Sequence, residues 1–502
     1  MMLLLGLYIA ATLIEFALVK SLPARLPRRI LVGVVILLDI SGSTALLINN
    51  WSLWIGLWIF GAYRVINLLR VAAGRMPNAE LKRLAPRAFY MLFGLQIASL
   101  LLASGTSRLS NSALLIVWAV AQMVVAVFLL RVTLRTWRHT RLPKNISPMS
   151  DNELPTVSIL IPARNETDDL EACLQTLVAN DYPKLEIIVL DDCSVTKRTP
   201  EIIRAFAQSG VRFVAGEVPD EVNWLAKNQA YQRLSEQASS EILLFCGVDA
   251  RFNRQTVRQL VEIMVARNKQ MMSVMPLRAP EAQASLSLIQ PMRYLWEIVL
   301  PRRLFNRPPV LSTCWMITAK SLERFGGFKA VSRKIVPEAY FARQLTATDG
   351  YAFVRSNFTL GLTSNKPAND QRDLAIRTRY PQLHRRLELV ALTAIAELTL
   401  FVGPLVGMAT AWLVPYAWFI FGLSAGSYVL LLSMYYHVAV RTKLNARSLA
   451  WLIFPVTVIT DVLLLHISMW QYEFSVVDWK GRNICIPIMR RTPPKPASEG
   501  SE

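Results

Sequence analysis

Two apolar runs in this sequence end on acids. "LEIIVLDDCS" (185–194) closes on Asp191 and Asp192, and "EILLFCGVDA" (241–250) closes on Asp249. A third run, "VSILIPARNE" (157–166), carries Arg164 and Glu166 at its end, and "VRFVAGE" is a fourth of the same kind. Their length and content are those of buried strands. Helical stretches separate them: "DDLEACLQTLVAN" (168–180), with Asp168 placed to cap it, "EIIRAFAQSG", stopping at Gly210, and "NWLAKNQAYQRLSEQA". This alternation predicts an α/β domain with a largely parallel sheet, whose ligands bind at the carboxyl ends of the strands. Arg164, Asp191, Asp192 and Asp249 all fall there. Acids so placed can accept hydrogen bonds from a base or ribose. Asp249 is of the type that ligates Mg²⁺ or Mn²⁺, ions that prefer carboxylate oxygen and bridge a pyrophosphate. The cluster suits transfer from a nucleotide-diphosphate donor, with the cation neutralising charge on the leaving diphosphate and Lys227 assisting. A solvated turn would explain any one of these acids, but the habit repeats along the sheet.

The elements that must position this cluster sit in an unusual chain. Of 502 residues, 53% are hydrophobic, and they crowd into the two ends. The expected organisation is an amino-terminal transmembrane block at 1–134, an α/β domain at 150–385, a second transmembrane block at 388–470 and a tail at 471–502. A crossing helix needs about 20 apolar residues. Front candidates are 2–19, 30–48, 52–69, 88–104 and 113–130, and rear ones are 388–413, 415–438 and 449–470. The first lacks a basic leader and a small-residue cleavage site, so it reads as a retained span. Glu388, Glu397 and Pro404 make 388–413 the weakest of the rear three, and the parity of that block stays open. Basic residues gather in alternate front loops, ending with Arg131, Arg135, Arg138, Arg141 and Lys144. The positive-inside rule then places the α/β domain in the cytosol, at a bacterial-type plasma membrane. Glu15, Asp39 and Asp461 show no basic partner at an obvious matching depth, and read as bundle-facing polar residues near the interface.

Several function classes drop out. The net charge of +20 is not arranged with interleaved aromatics as in a nucleic-acid-binding module, and it accords with anionic headgroups instead. Five cysteines without CxxC spacing, and four histidines without HExxH, argue for reduced core thiols and against zinc. There is no Walker A loop and no GxSxG. "SLSLIQPMRYLWEIVLPRRLF" (285–305), ending at Arg302 and Arg303, and "IRTRYPQLHRRLELV" (376–390) suit helices in the headgroup region, from which a bilayer-anchored acceptor would arrive. Helices that only seat the domain on the membrane fit equally well. The Pro- and Ser-rich "RRTPPKPASEGSE" is expected to be disordered.

The stretch "VSILIPARNETDDLEACLQTLVANDYPKLEIIVLDDCS" resembles the opening of family 2 glycosyltransferases, which have the GT-A fold. "LAKNQA" is similar to their Gly-Lys…Asn-x-Ala helix. "SLERFGGF" (321–328) resembles the helix and Gly-Gly-Phe turn before their catalytic base, and "VPEAYFARQLTATDGYAFVRS" their Glu-Asp element. The likeness covers about residues 155–385. The flanking apolar blocks, with "VDWKGRN" after the last, bring it nearest to membrane-bound members of the ceramide glucosyltransferase-like and carotenoid or hopanoid kinds. The resemblance implies a nucleotide pocket lined by Ala163, Arg164 and Glu166. It also implies Asp191 on the base with Asp192 beside it, Asp249 as the metal-side acid of an Asp-x-Asp element, and Glu338 as the Glu of the Glu-Asp pair.

Three departures matter. Gly247 replaces the first metal acid, which leaves either a site thinner by one carboxylate or no metal site. Ala339 stands where the family places its general base. Glu338 could take that role, or more weakly Asp349; an acceptor already ionised would need no base; or the domain is catalytically silent. Arg377, Arg379 and Tyr380 of "IRTRYPQ" are the nearest counterpart of the family's Gln-x-x-Arg-Trp element. The leading expectation is a membrane glycosyltransferase acting on a nucleotide-sugar donor and a lipid or amphiphilic acceptor at the cytosolic face, with inversion. A silent scaffold relative in envelope assembly and a processive polysaccharide synthase are the alternatives.

Overall fold

The computed structural model describes residues 6, 8–15, 26–49, 51–72, 76–77, 79–106, 110–143, 147–218, 223–283, 286–300, 308–445, 450–484 and 489–490. Arg302, Arg303 and the Pro-rich tail lie outside them.

The front of the chain is helical at 8–15 and in α1 (Leu26–Asn49), α2 (Trp51–Ala72), α3 (Ala79–Thr106) and α4 (Asn111–His139). Helix α2 packs between α1 and α3. It carries Arg64 and Asn67 mid-run, both buried. Among the described residues, six helices are long and apolar enough to cross a membrane: Ile30–Ile48, Arg87–Thr106, Asn111–His139, Leu387–Leu413, Ala417–Arg441 and Phe454–Phe474. The expected span 52–69 lies within helix α2, which is not one of the six.

The centre holds a seven-stranded sheet of β1 (Val157–Ala163), β2 (Leu185–Asp191), β3 (Val211–Ala215), β4 (Ile242–Cys246), β5 (Met271–Met275), β6 (Cys314–Thr318) and β7 (Tyr351–Arg355). Its order is β7-β5-β6-β4-β1-β2-β3. Only β6 runs against its neighbours, between β4 and β5, so the sheet is mixed but mostly parallel. The two-residue period of a strand divides its side chains between two layers. Ile159 and Ile161 face a core that includes Leu170 and Leu174 of α5 (Asp168–Val178), while Leu160 faces one built on Tyr231, Trp315, Phe328 and Phe341. Thr167, not Asp168, precedes the first turn of α5, and its side chain makes no capping bond. The four described cysteines, Cys173, Cys193, Cys246 and Cys314, are free thiols.

Helix α6 (Ala226–Gln237) backs the second layer. Helix α7 (Gln290–Val299) does not lie exposed at a headgroup surface. Its Met292, Tyr294, Leu295 and Ile298 are buried against Leu129 of α4 and against Met434, Tyr435 and Phe454 from the rear of the chain. After α8 (Glu338–Thr346) and α9 (Ala368–Gln382), helix α10 (Leu387–Glu397) continues through a π turn at Leu398–Val402 into Gly403–Thr410. Helices α11 (Ala417–Arg441) and α12 (Phe454–Phe474) follow; α11 lies along α4, and α12 along α9.

Candidate functional site

The register of the sheet decides which predicted residues meet. Ala163 pairs with Asp191 across β1 and β2, so the loops after both strands leave from the same end. Strand β4 is parallel to β1 and brings Asp249 to that end two residues after Gly247. The Asp191 carboxylate caps its own turn, accepting from the Ser194 hydroxyl at 2.5 Å and the Ser194 N–H at 3.2 Å. Arg164 is buried and donates to the carbonyls of Asp192 (2.7 Å) and Cys193 (2.5 Å), which fixes the loop behind those acids.

A segment far away in sequence closes this side of the site. Asp478–Trp479 and Arg482–Asn483 form a hairpin whose two turn residues, Lys480 (φ 49°) and Gly481 (φ 80°), are both left-handed. That is the conformation that a two-residue hairpin turn needs, and glycine adopts it at least cost. Arg482 Nη1 donates to Asp192 Oδ2 at 2.6 Å, Lys480 Nζ pairs with Glu166, and the Lys480 carbonyl accepts from Arg164 Nε at 3.1 Å. Burial pushes the Asp192 carboxyl up, with Arg482 opposing, and burial likewise raises Glu166 against Lys480. Nothing in the local sequence marks Lys480 and Arg482 as partners of these acids. Replacing Arg482 with alanine strands a buried carboxylate and is expected to cost about 2 kcal/mol. Because the folded-state value of Asp192 is already raised, the penalty is smallest at acid pH, where the carboxyl is protonated, and grows as pH rises through that value. Thermal unfolding at a series of pH values, with hydrogen exchange at 477–484, reads both effects.

The opposite wall begins at α6. Asn228 donates through one amide nitrogen to the carbonyls of Val331 (2.8 Å), Ser332 (3.0 Å) and Lys334 (2.7 Å), which pins the loop leading to Glu338. Its neighbour Lys227 shares one electrostatic field with Glu338, Arg377, Lys366 and Arg293. Burial depresses its pKa, and the three other cations push the same way against Glu338. Glu338 is wholly buried, and neither carboxylate oxygen has a hydrogen-bond partner. Ala339 packs on the aromatic core beside Phe341 and offers no chemistry.

Asp249 Oδ2 accepts from the Ser364 hydroxyl at 2.6 Å, and Lys366 Nζ stands 3.8 Å from Oδ1. A short strand, Thr363–Ser364, brings both groups in by pairing with Ala250–Arg251. Burial disfavours the Asp249 charge, yet Lys366 and Ser364 outweigh it and hold the carboxyl below its ordinary value. A Cβ built on Gly247 would lie 2.6 Å from Asp249 Oδ1, so the carboxylate lies over the space that a first acid would need. Among the described residues no group of three or more His, Cys, Asp or Glu side chains comes together. A Mg²⁺ or Mn²⁺ ion here would meet one carboxylate, already hydrogen-bonded and facing an ammonium group. This donor set does not fit an ion held by paired acids.

Three other predicted residues fall elsewhere. Asp349 is 93% exposed in the turn before β7, at the amino ends of the parallel strands, and pairs with Lys269 at 2.9 Å. It is far from the acids that follow β1, β2 and β4. Arg379 turns into the helices, pairing with Asp461 and, at 3.0 Å, with Glu397. Tyr380 is fully buried and donates to Glu473 at 2.6 Å. Both side chains follow the buried face of α9 against α12 and not the site. Arg377 stays near it, its guanidinium 5.6 Å from the Trp479 ring.

Part of the chain is similar to known glycosyltransferases. Residues 158–326 match the sequence model described as Glycosyl transferase family 2. The glycosyltransferase AglE of Haloferax volcanii is 31% identical over 105 residues, covering 20% of this chain and 33% of that protein. The chain spans between a third and a half of the length of the curated relatives it matches. Among solved structures, the mannosyltransferase PcManGT from Pyrobaculum calidifontis, in complex with GDP-Man and Mn²⁺, aligns with a TM-score of 0.42 and 18% identity, over 71% of this chain and 98% of that one. Glucosyl-3-phosphoglycerate synthase from Mycobacterium tuberculosis aligns with a TM-score of 0.32 and 21% identity, over 49% and 86%. The matched stretch 158–326 is similar to Glycosyl transferase family 2 domains and includes the strand-end acids Asp191, Asp192 and Asp249.

Proposed function

We propose that the protein is an integral membrane glycosyltransferase that moves a sugar from a nucleoside-diphosphate donor to a lipid or other amphiphilic acceptor at the cytosolic face, with inversion. The observation that carries this reading is Glu338, a fully buried carboxylate without a hydrogen-bond partner, in the same field as Lys227. Such a group is costly to keep in a fold, which points to a use other than packing. In a direct displacement the acceptor oxygen bonds to the anomeric carbon as the bond to the diphosphate breaks. The acceptor proton passes to Glu338, and neighbouring cations take the charge left on the diphosphate. Asp191 contacts the base or ribose of the donor. Inversion follows from the single displacement.

The outward faces of the apolar helices support the membrane part of the reading. Leu37, Leu101, Val117 and Val124 are each more than 60% exposed, as lipid-facing residues are. The α/β domain is joined to the basic end of α4, where Arg355 of β7 stacks on Trp137 at 3.6 Å and donates to the Thr140 hydroxyl at 3.0 Å, and this supports a cytosolic domain. The positive-inside rule puts that end in the cytosol. The inward turn of Arg379 and Tyr380 favours single transfer over processive synthesis, since neither is free to hold a growing chain.

The test uses the full-length protein in nanodiscs with labelled UDP- and GDP-sugars and a mixed polar lipid extract. Label is expected to enter the organic phase, and Asp191→Ala is expected to stop it. If no donor is bound, hydrolysed or transferred, the catalytically silent reading replaces this one.

A further inference from the structure

Lys227 shares one electrostatic field with Glu338, Arg293, Lys366 and Arg377, and Lys366 also stands 3.8 Å from Asp249. Lys227 comes from α6 beside the sheet, Arg293 from α7 and Arg377 from α9. Lys366 follows the short strand that pairs beside Asp249. Like charges crowded into a half-buried space destabilise one another unless an anion joins them. Glu338 and Asp249 offset part of this charge, and the remainder calls for a polyvalent anion. A diphosphate has the required charge, and its oxygens can accept from ammonium and guanidinium groups at once.

The position of Lys366 decides what replaces the missing first acid. Asp249 Oδ1 lies over Gly247 and faces the Lys366 ammonium at 3.8 Å, so a cation already stands where the family's ion would be held. A divalent ion bound to the same oxygen would sit within a few ångströms of that ammonium, and the two would repel. We infer that side-chain cations, with Lys366 and Lys227 foremost, hold the donor diphosphate in this protein, and that binding does not require a divalent ion. The inference rests on the functional reading above and deepens it. Asp249 then acts as the positioning residue for Lys366, oriented in turn by the Ser364 hydroxyl.

Calorimetric titration of the full-length protein in detergent with UDP, GDP, CDP, ADP and dTDP, in EDTA and then in excess Mn²⁺ or Mg²⁺, tests this. One nucleotide is expected to bind with the same Kd, within about threefold, in both conditions. Lys366→Ala is expected to weaken it tenfold or more in both, and Lys366→Arg to restore most of the loss. Equal unfolding midpoints of the variants exclude misfolding as the cause. Binding that EDTA abolishes and the metal restores overturns the inference and leaves the glycosyltransferase reading standing. Metal-independent binding that Lys366→Ala leaves unchanged overturns the role of Lys366. Absence of binding by all five nucleotides in both conditions overturns inference and reading together.

Discussion

Glu338→Gln is expected to lower the turnover of sugar transfer by about 10²- to 10⁴-fold, the range over which a positioned general base acts. The affinity for the nucleoside diphosphate is expected to change by only a few fold. The split follows from where the side chain sits. Glu338 opens α8 with both oxygens unpaired and no exposed surface, and it is the foremost charge acting on Lys227. Glutamine keeps the shape and removes the charge, so the loss reports proton transfer and not packing. A structural role gives the opposite pattern, because a neutral amide is cheaper to bury than an unpaired carboxylate, and the variant would be more stable with turnover intact. Single-turnover rates beside calorimetric Kd values separate the two. An unchanged rate would mean that the acceptor brings an oxygen already ionised, as a phosphate or carboxylate does.

The parts of this site that could be read from the sequence are those that local pattern controls. Strand-end acids declare themselves because a buried strand has a fixed period and a definite end. Asp191, Asp192 and Asp249 stand at the same end of the parallel strands, as the alternation of strands and helices predicts. Lys227 and Glu338 are candidates from the resemblance of "LAKNQA" and of the Glu-Asp element, and the structure puts the two in one electrostatic field. Lys366, Ser364, Lys480 and Arg482 were not legible. Each reaches its partner by a chain crossing of more than 100 residues, and nothing local in "TSNKP" or "VDWKGRN" says which acid it will meet. The same limit explains Arg379 and Tyr380. They are the nearest counterpart of the family's Gln-x-x-Arg-Trp element by resemblance, but the helical period of α9 turns them toward α12.

Depth inside the helical blocks was the least legible quantity, and it sets the second large effect. Arg64→Met is expected to destabilise the front helices by about 3–5 kcal/mol, the range for removing one partner of a buried ion pair. The acids of these helices show no partner in the sequence because the vertical offset of one helix against the next is not encoded locally. In the structure Arg64 hydrogen-bonds Glu15 and Gln96 and stands 3.6 Å from Asp39, with the rings of Phe89 and Phe93 within 6 Å of its guanidinium. Arg64, Glu15 and Asp39 are each at most 1% exposed. Removing the guanidinium leaves two carboxylates facing each other with no counter-charge, and methionine fills the volume without replacing it. The triple variant Glu15→Gln, Asp39→Asn, Arg64→Met is expected to recover most of the loss, since it removes the charges together. Thermal unfolding in detergent, followed by tryptophan fluorescence from α2, measures both. If the single variant unfolds at the wild-type midpoint, the acids are already neutral in the native protein and Arg64 is held by its amide and ring contacts alone.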